Sequence, residues 1–330
     1  MEQGHLNSNV VVDGENTCRI CGNGKNNEPY RVKELHLGLR DEFDYFECST
    51  CGCLQIKNFP ENIDKYYPSD YYSYNSSIYE KNSLVESARW LAVRSLIKAR
   101  IGNNKALSRL STKFYTYNSW LIKGLCDFDS SILDIGCGNG SLLRRLQRIG
   151  FRNLTGADPY IKEDIRYDSN LTIYKKQIDE VAGKFDLVML HHSFEHMPNP
   201  AEVMKKACDL LRDGGCLLIR IPVTGTYAWR KYKENWAQID APRHFFLHTT
   251  KSIAMLAEGA NLTVEKVIFD STPFQFIGSE KYLKDVSLKD KTSVSFSKAE
   301  LKSFAEMAKR LNRENDGDSA CFYLRKKEYK

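Results

Sequence analysis

From Ser131 to Lys326, short runs of apolar residues alternate with stretches in which apolar positions recur every three or four residues. SILDIGC (131–137), LTGAD (154–158), LTIYK (171–175), FDLVML (185–190), CLLIRIP (216–222), LTVEKVIF (262–269) and ACFYLRK (320–326) read as seven strands. Helices are expected at 140–149, ended by Gly150, at 200–212 before the Asp213-Gly-Gly turn, and at 250–259. Strands that alternate with helices bury a mostly parallel sheet on both faces, so the fold class is α/β and Rossmann-like. Residues 270–319 interrupt the pattern before the last strand. There Ser297-Lys-Ala-Glu300 is a capping box, and Leu301, Phe304, Met307, Ala308 and Leu311 form the apolar stripe of a helix packed on the body.

Ahead of this region the pattern changes. Residues 1–16 read as a disordered lead-in, and residues 17–59 hold two cysteine pairs around a short aromatic-rich stretch. Residues 60–125 make a connector, rich in tyrosine (KYYPSDYYSYNSSIY) and then helical, and 126–330 are the α/β domain. Ser83-Leu-Val-Glu86 is a capping box for a helix with Leu84, Ala88, Leu91, Ala92 and Ser95 on one face. Gly102-Asn-Asn ends it, and a second helix is expected at 106–124.

Composition adds three constraints. No apolar run approaches the ~20 residues that span a bilayer, and the first residues lack the basic and apolar regions of a secretory signal. A cytoplasmic location is expected. Five of the ten cysteines fall between Cys18 and Cys53, which points to a metal site and away from disulfides. The net charge of +6 is concentrated between Lys81 and Lys113, where eight Lys/Arg face one acid, Glu86. Such a face suits a phosphate-bearing partner or simply solvent.

The first strand runs into Leu133-Asp-Ile-Gly-Cys-Gly-Asn-Gly140, which then opens a helix. Its glycines allow a sharp turn and a close approach of backbone to a ligand. The G-x-G-x-G spacing behind an acid differs from the G-x-G-x-x-G pyrophosphate fingerprint. Asp158 falls where the next strand should end and could accept from both hydroxyls of a ribose. LDIGCGNG, GADP, FDLVMLHHSFEHMPNP and LLRDGGCLLIRIP, in this order over roughly residues 130–325, resemble the motif series of class I S-adenosylmethionine-dependent methyltransferases. That resemblance implies a seven-stranded sheet and S-adenosylmethionine as cofactor. It places Asp134, Gly136, Cys137, Gly138, Gly140 and His191 at the methionine end, Asp158 at the ribose, and Gln177 and Ile178 beside the adenine.

Cys18-x-x-Cys21 and Cys48-x-x-Cys51 are two knuckles separated by 26 residues. Each presents two thiolates on one side of a tight loop, so together they are expected to form a tetrahedral Zn2+ site in a ribbon-like unit, with free thiols or a redox role as the alternatives. Cys53 and His36 are further candidates. Four protein ligands leave no open position, and the ion is expected to be structural. Followed by YYPSDYY, this unit resembles the N-terminal part of sugar methyltransferases of deoxysugar and surface-polysaccharide pathways. Tyr67, Tyr71 and Tyr72 become substrate contacts by that resemblance. The sugar C-methyltransferases of that group carry a further C-terminal domain, whereas this sequence stops at its last strand. Transfer to a hydroxyl is therefore expected.

A hydroxyl acceptor needs a base or a metal ion. His196, after the fourth strand, and His244, in Asp240-Ala-Pro-Arg-His-Phe-Phe-Leu-His-Thr-Thr, can both reach the carboxyl edge of the sheet. Arg243 is an anchor for phosphate or hydroxyl. Tyr227, with Trp229 and Trp236, suits stacking on a sugar or base, and His248 is expected to cap the helix near Thr249. The leading expectation is O-methylation of a sugar, nucleotide-linked or within a glycan. RNA methylation, with the cysteine unit and basic helix as grip, sugar C-methylation and a non-catalytic partner subunit are the alternatives.

Overall fold

A computed structural model describes residues 16–67, 84–101, 120–121 and 125–327. The lead-in through residue 15, Tyr71, Tyr72 and most of the helix expected at 106–124 lie outside the described residues. Within that last stretch Trp120 and Leu121 are buried but not helical.

The large sheet contains β4 (Ser131–Ile135), β5 (Asn153–Ala157), β6 (Ile165–Asp168), β7 (Leu171–Tyr174), β8 (Phe185–His191), β9 (Leu211–Pro222), β11 (Leu262–Phe269) and β12 (Ser319–Lys326), in the order β11-β12-β9-β8-β4-β5-β7-β6. All seven expected strands are present. The count of seven is nevertheless corrected to eight, because the short β6 adds an antiparallel edge to β7. Its IRYD pattern has no buried position, so no apolar run announced it. β12 pairs antiparallel with both β9 and β11, and the remaining pairs from β7 to β9 are parallel.

Alternation within each strand divides two cores. Leu133, Val188, Leu190, Ile219 and Ile221 face α3 (Pro200–Leu210) and α5 (Thr250–Gly259). Ile132, Leu187, Met189 and Leu218 face α2 (Ser141–Ile149) and α1 (Leu84–Ile101). Both faces are therefore covered, and ligands are left the carboxyl ends of the strands. The buried face of α1 is Val93 and Ile97, whereas Leu91 of the expected face is 63% exposed. α3 stops at Leu210, two residues earlier than expected. Leu211 already pairs with Phe185, and the Asp213-Gly214-Gly215 stretch is absorbed as a register shift before Cys216 pairs with Leu187. Gly214 has φ +71°, which is why glycine sits there.

A second, antiparallel sheet runs β1 (Glu28–Lys33), β2 (Glu42–Glu47), β3 (Leu54–Ile56) and β10 (Phe246–Leu247). Its fourth strand comes from the α/β region, through the pairs Phe246↔Gln55 and Leu247↔Leu54. The cysteine unit thus shares a sheet with the segment carrying His244. Trp229, Trp236, Phe276, Ala308 and Leu311 pack with Val32, Tyr45, Leu54 and Ile56 across the seam. They come from α4 (Tyr227–Tyr232), the turn after it, α6 (Phe274–Tyr282) and α7 (Lys298–Arg313). The Ser297 capping box is present, but Leu301 in the first turn of α7 is 40% exposed and does not join the seam. Among the described residues no helix is long and apolar enough to cross a membrane.

Candidate active site and cysteine centre

β4 ends in the glycine loop at the point where its neighbours β5 and β8 diverge. Gly136, Gly138 and Gly140 all have positive φ, between 55° and 74°. A Cβ on Gly136 would lie 2.5 Å from the Cβ of Ser193, so the loop and the turn after β8 approach as closely as they do only because glycine is there. The Gly138 amide donates to Asp158 Oδ2 at 2.8 Å, and the Tyr160 amide donates to Asp158 Oδ1 at 2.9 Å. Asp158 therefore shapes the loop and retains lone pairs for a ligand. Asp134 is 2% exposed and its Oδ1 has no hydrogen-bond partner. Burial, with the Asp158 charge behind it, pushes its carboxyl well above the usual range. His191 Nε2 is likewise buried without a partner, its ring edge-on to Trp120. An ammonium group and a ligand acceptor would relieve these two atoms. Gln177 is exposed and Ile178 half-buried, in a short turn after β7.

Glu195 and His196 lie on the turn Phe194–His196, directly after β8. Ser193 anchors that turn by donating to the Ile135 carbonyl at 2.7 Å. His244 comes from the other side, on the segment leading into β10. The Phe245 amide donates to the Glu195 carbonyl at 2.8 Å and ties the two segments together. The imidazoles of His196 and His244 meet edge to face, with centroids 4.7 Å apart. One ligating atom from each of Glu195, His196 and His244 lies within 4.8 Å of the others. His196 Nδ1 donates to the Arg243 carbonyl at 2.8 Å, with the Tyr67 hydroxyl 3.2 Å away. His244 Nδ1 donates to the Gln238 carbonyl at 2.7 Å. Carbonyls only accept, so in the neutral form of each ring the lone pair is on Nε2.

Both Glu195 carboxylate oxygens are buried and lack a hydrogen-bond partner. Burial alone would raise this carboxyl, but the imidazoles of His192, His196 and His244 outweigh it and hold it down to about 2. Burial, and the neighbouring His196, push His244 down to about 4. His192, at φ +56°, presents Nδ1 3.5 Å from Glu195 Oε1 and accepts on Nε2 from Arg220, which in turn donates to Asp270 at 2.7 Å.

The four cysteines of the two knuckles converge. Cys18 and Cys51 Sγ are 3.6 Å apart, Cys21 and Cys48 Sγ 3.5 Å, and all four lie within 4.8 Å of one another. Tetrahedral zinc with ~2.3 Å bonds sets sulfurs about 3.8 Å apart, so the cluster fits that ion closely. The amides of Ile20 and Cys51 and the Gln55 side chain donate to the sulfurs, as thiolates require. The hydrogen bond from Cys51 holds the Cys18 thiol down to about 5.

Several expected contacts are corrected. Cys53 is outside the four-sulfur group, and His36 pairs with Asp240 at 3.2 Å. Arg243 is 1% exposed, and its guanidinium is committed to Asp240 and the Tyr66 carbonyl, so it is a buried strut and not a phosphate anchor. Trp229 and Trp236 are buried, their indoles donating to Glu47 and Asp318. Tyr227 opens α4 and packs toward Phe276 in the seam, not over the His196–His244 pair. Thr249, not His248, caps α5, because its hydroxyl accepts from Ser252 while His248 lies buried between Phe194 and Phe246. Glu195 and Asp240 were missed as site residues. The signal for Glu195 was its place next to His196, and nothing in the sequence set Asp240 apart from other acids.

A family model described as a methyltransferase domain matches residues 102–267, half of the chain. The chain belongs to this methyltransferase-domain family. The match leaves out the cysteine centre. A ubiquinone biosynthesis O-methyltransferase of Shewanella pealeana is 30% identical over 127 residues, which are 34% of this chain and 52% of that protein. Its namesake in Escherichia coli O157:H7 is 29% identical over 140 residues, 39% of this chain and 58% of that one. The chain spans about half the length of the curated relatives it matches. Among solved structures, a putative sarcosine dimethylglycine methyltransferase from Galdieria sulphuraria is similar at 15% identity and TM-score 0.42, over 73% of this chain and 98% of that one.

Proposed function

We propose that this methyltransferase-domain protein transfers a methyl group from S-adenosylmethionine to a hydroxyl held over Glu195, His196 and His244, and that the acceptor is a sugar. The observation that carries the reading is the pairing of a partnerless buried Asp134 oxygen behind the glycine loop with two imidazoles that meet edge to face, each with its Nδ1 hydrogen spent on a backbone carbonyl. The loop at Gly136, Cys137, Gly138 and Gly140, with Asp134 and His191, fits the methionine end. Asp158 fits the ribose, and Gln177 and Ile178 border the adenine. When bound, the cofactor supplies an electrophilic methyl on its sulfonium. The chain's own task is then to align the acceptor oxygen with it and relieve that oxygen of its proton.

Placement supports the second half. A Cβ on Gly136 would meet both Ser193 and the Met197 methyl, so the His196 turn lies against the cofactor loop. Tyr67, at the end of the cysteine unit, borders His196 and fits a sugar ring lying there. The relatives' names speak of O-methylation in ubiquinone biosynthesis by those proteins, which is also transfer to a hydroxyl. Their similarity spans about a third of this chain. Zn2+ on Cys18, Cys21, Cys48 and Cys51 belongs to the same reading, as the staple that holds β3 against β10.

The test is transfer of labelled methyl from S-adenosylmethionine into separated nucleotide-sugar, glycan, phenolic and RNA fractions. Label in the first two supports the reading. Label only in phenols replaces the sugar with an aromatic hydroxyl, and label sensitive to ribonuclease overturns transfer to a sugar.

A further inference from the structure

Glu195, His196 and His244 are arranged in a way that proton transfer alone does not explain. His244 Nε2 lies 4.0 Å from Glu195 Oε1 and 3.7 Å from Asp240 Oδ2. The Nδ1 hydrogen of His244 is spent on the Gln238 carbonyl, so nothing donates across that gap. His196 is fixed the same way on the Arg243 carbonyl. A carboxylate with 1% exposure, whose oxygens complete no hydrogen bond although His192 Nδ1 lies 3.5 Å from Oε1, therefore sits against two imidazoles whose Nδ1 hydrogens are spent elsewhere. Buried acceptors that face each other repel unless a cation lies between them. Imidazoles locked by Nδ1–H···O=C bonds are also what metal-binding histidines show.

We infer that Glu195, His196 and His244 bind a divalent first-row cation. Two imidazoles and one carboxylate form a three-point facial set that leaves further positions open. The ligating atoms lie within 4.8 Å of one another, with His244 Nε2 4.0 Å from Glu195 Oε1, whereas bonds of ~2.1 Å set such atoms about 3–3.4 Å apart, so loading requires the rings and carboxylate to close in. Mn2+, Fe2+, Co2+ and Zn2+ all suit such a donor set. This rests on the proposed transfer to a hydroxyl and deepens it. The acceptor hydroxyl would take an open position; its O–H bond breaks with the proton passing to solvent water, the oxygen's electron pair forms the O–CH3 bond, and the S–CH3 bond breaks with its pair left on the sulfur of departing S-adenosylhomocysteine. His192, held by Arg220, and Tyr67, beside His196, position the ligands and do not join them.

The full-length, zinc-loaded protein is titrated with Mn2+, a hard ion that leaves the thiolate cluster alone, and the free ion is read by electron paramagnetic resonance. One Mn2+ per chain is expected, with a pulsed spectrum showing coupling to imidazole nitrogen. Glu195→Gln and His244→Asn should each weaken uptake by at least roughly 10-fold. Circular dichroism and S-adenosylmethionine binding are followed alongside. No uptake, uptake without nitrogen coupling, or equal affinity in both variants overturns the site. The wild-type spectrum decides the matter even where a variant does not fold. Methyl transfer by protein that takes up no ion removes the cation and leaves the hydroxyl reading standing. Ion uptake with no label in any hydroxyl-bearing fraction keeps the site and removes that reading.

Discussion

The four thiols and the Glu195–His196–His244 group lie at the two ends of one segment, 244–249, and they are built in opposite ways. His244 opens that segment, and Thr249 closes it by donating its hydroxyl to the Cys51 carbonyl at 2.6 Å. The sulfurs come from two four-residue knuckles that present their ligands locally, lie within 4.8 Å of one another and face into packing with Phe46 and Phe246. The imidazoles and carboxylate come from separate strand ends and meet only because the sheet and the β3–β10 pairing bring them together. In the proposed reading one centre saturates its ion and holds the chain, while the other keeps its donor atoms beside a half-exposed rim at His196 and Tyr67. Closed and open donor sets of this kind separate structure from chemistry.

The sharpest way to break the contrast is Cys48→Ser. Structural zinc contributes on the order of 10 kcal/mol of apparent folding free energy in small zinc units. Hydrogen exchange in β1–β3 should therefore rise to near-unprotected rates, and β10 should follow because it pairs with β3. β4 and β8 should keep their protection. Unchanged exchange across residues 28–56 would show that the thiols hold nothing.

His196→Ala probes the other side of the contrast. The ring is half-buried, and its loss should leave the melting temperature within a few degrees. Turnover should fall by about 10²–10⁴-fold, the usual weight of a group on which removal of the acceptor's proton depends. Calorimetric affinity for S-adenosylmethionine should not move, because the partnerless Asp134 and His191 atoms are untouched. A melting temperature that collapses with activity would place His196 among the structural groups instead.

The two regions were also unequally legible in the sequence. The C-x2-C knuckles could be read because ligands three residues apart need only local geometry. The seven long strands and the helices at 141–149 and 250–259 could be read because apolar periodicity records burial. The edge strand β6, with no buried residue, left no such record. Arg243 and the two tryptophans resembled substrate contacts, yet Asp240, three residues from Arg243, gives no signal of its own, and the tryptophans' partners Glu47 and Asp318 are far away in the chain. Glu195 and His244 are nearly fifty residues apart and meet through β10, a two-residue strand whose partner is in the N-terminal unit. No spacing rule encodes a contact made by a sheet that the α/β domain only borrows.

His248 sits between the two centres and supplies a test that depends on neither ion. It is fully buried, stacked between Phe194 of the active-site turn and Phe246 of β10, and burial pushes it down to about 3. Below pH ~6.5 the unfolded chain gains a proton here that the folded chain refuses until about pH 3. Stability is therefore complete above ~6.5 and falls as the pH drops through that window, by about 2 kcal/mol at pH 5. Denaturant midpoints at pH 7 and pH 5 read this directly, and in His248→Gln the difference between them should shrink by that amount. An unchanged difference would mean that the ring accepts its proton in place.

The smallest effect separates positioning from packing at the rim. The Tyr67 hydroxyl is 3.2 Å from His196 Nδ1, which already donates to the Arg243 carbonyl at 2.8 Å, so it shares a hydrogen whose main partner lies elsewhere. Losing a secondary, neutral contact of this kind costs about 0.5–1 kcal/mol. Tyr67→Phe should therefore lower kcat/KM for the acceptor by about 2–5-fold, with cofactor affinity and the melting temperature unchanged. If the fall lies in KM, Tyr67 steadies the acceptor; if it lies in kcat, the hydroxyl tunes the orientation of the His196 ring. No fall at all would make the tyrosine a packing residue, and the open side of the contrast would then begin at His196 itself.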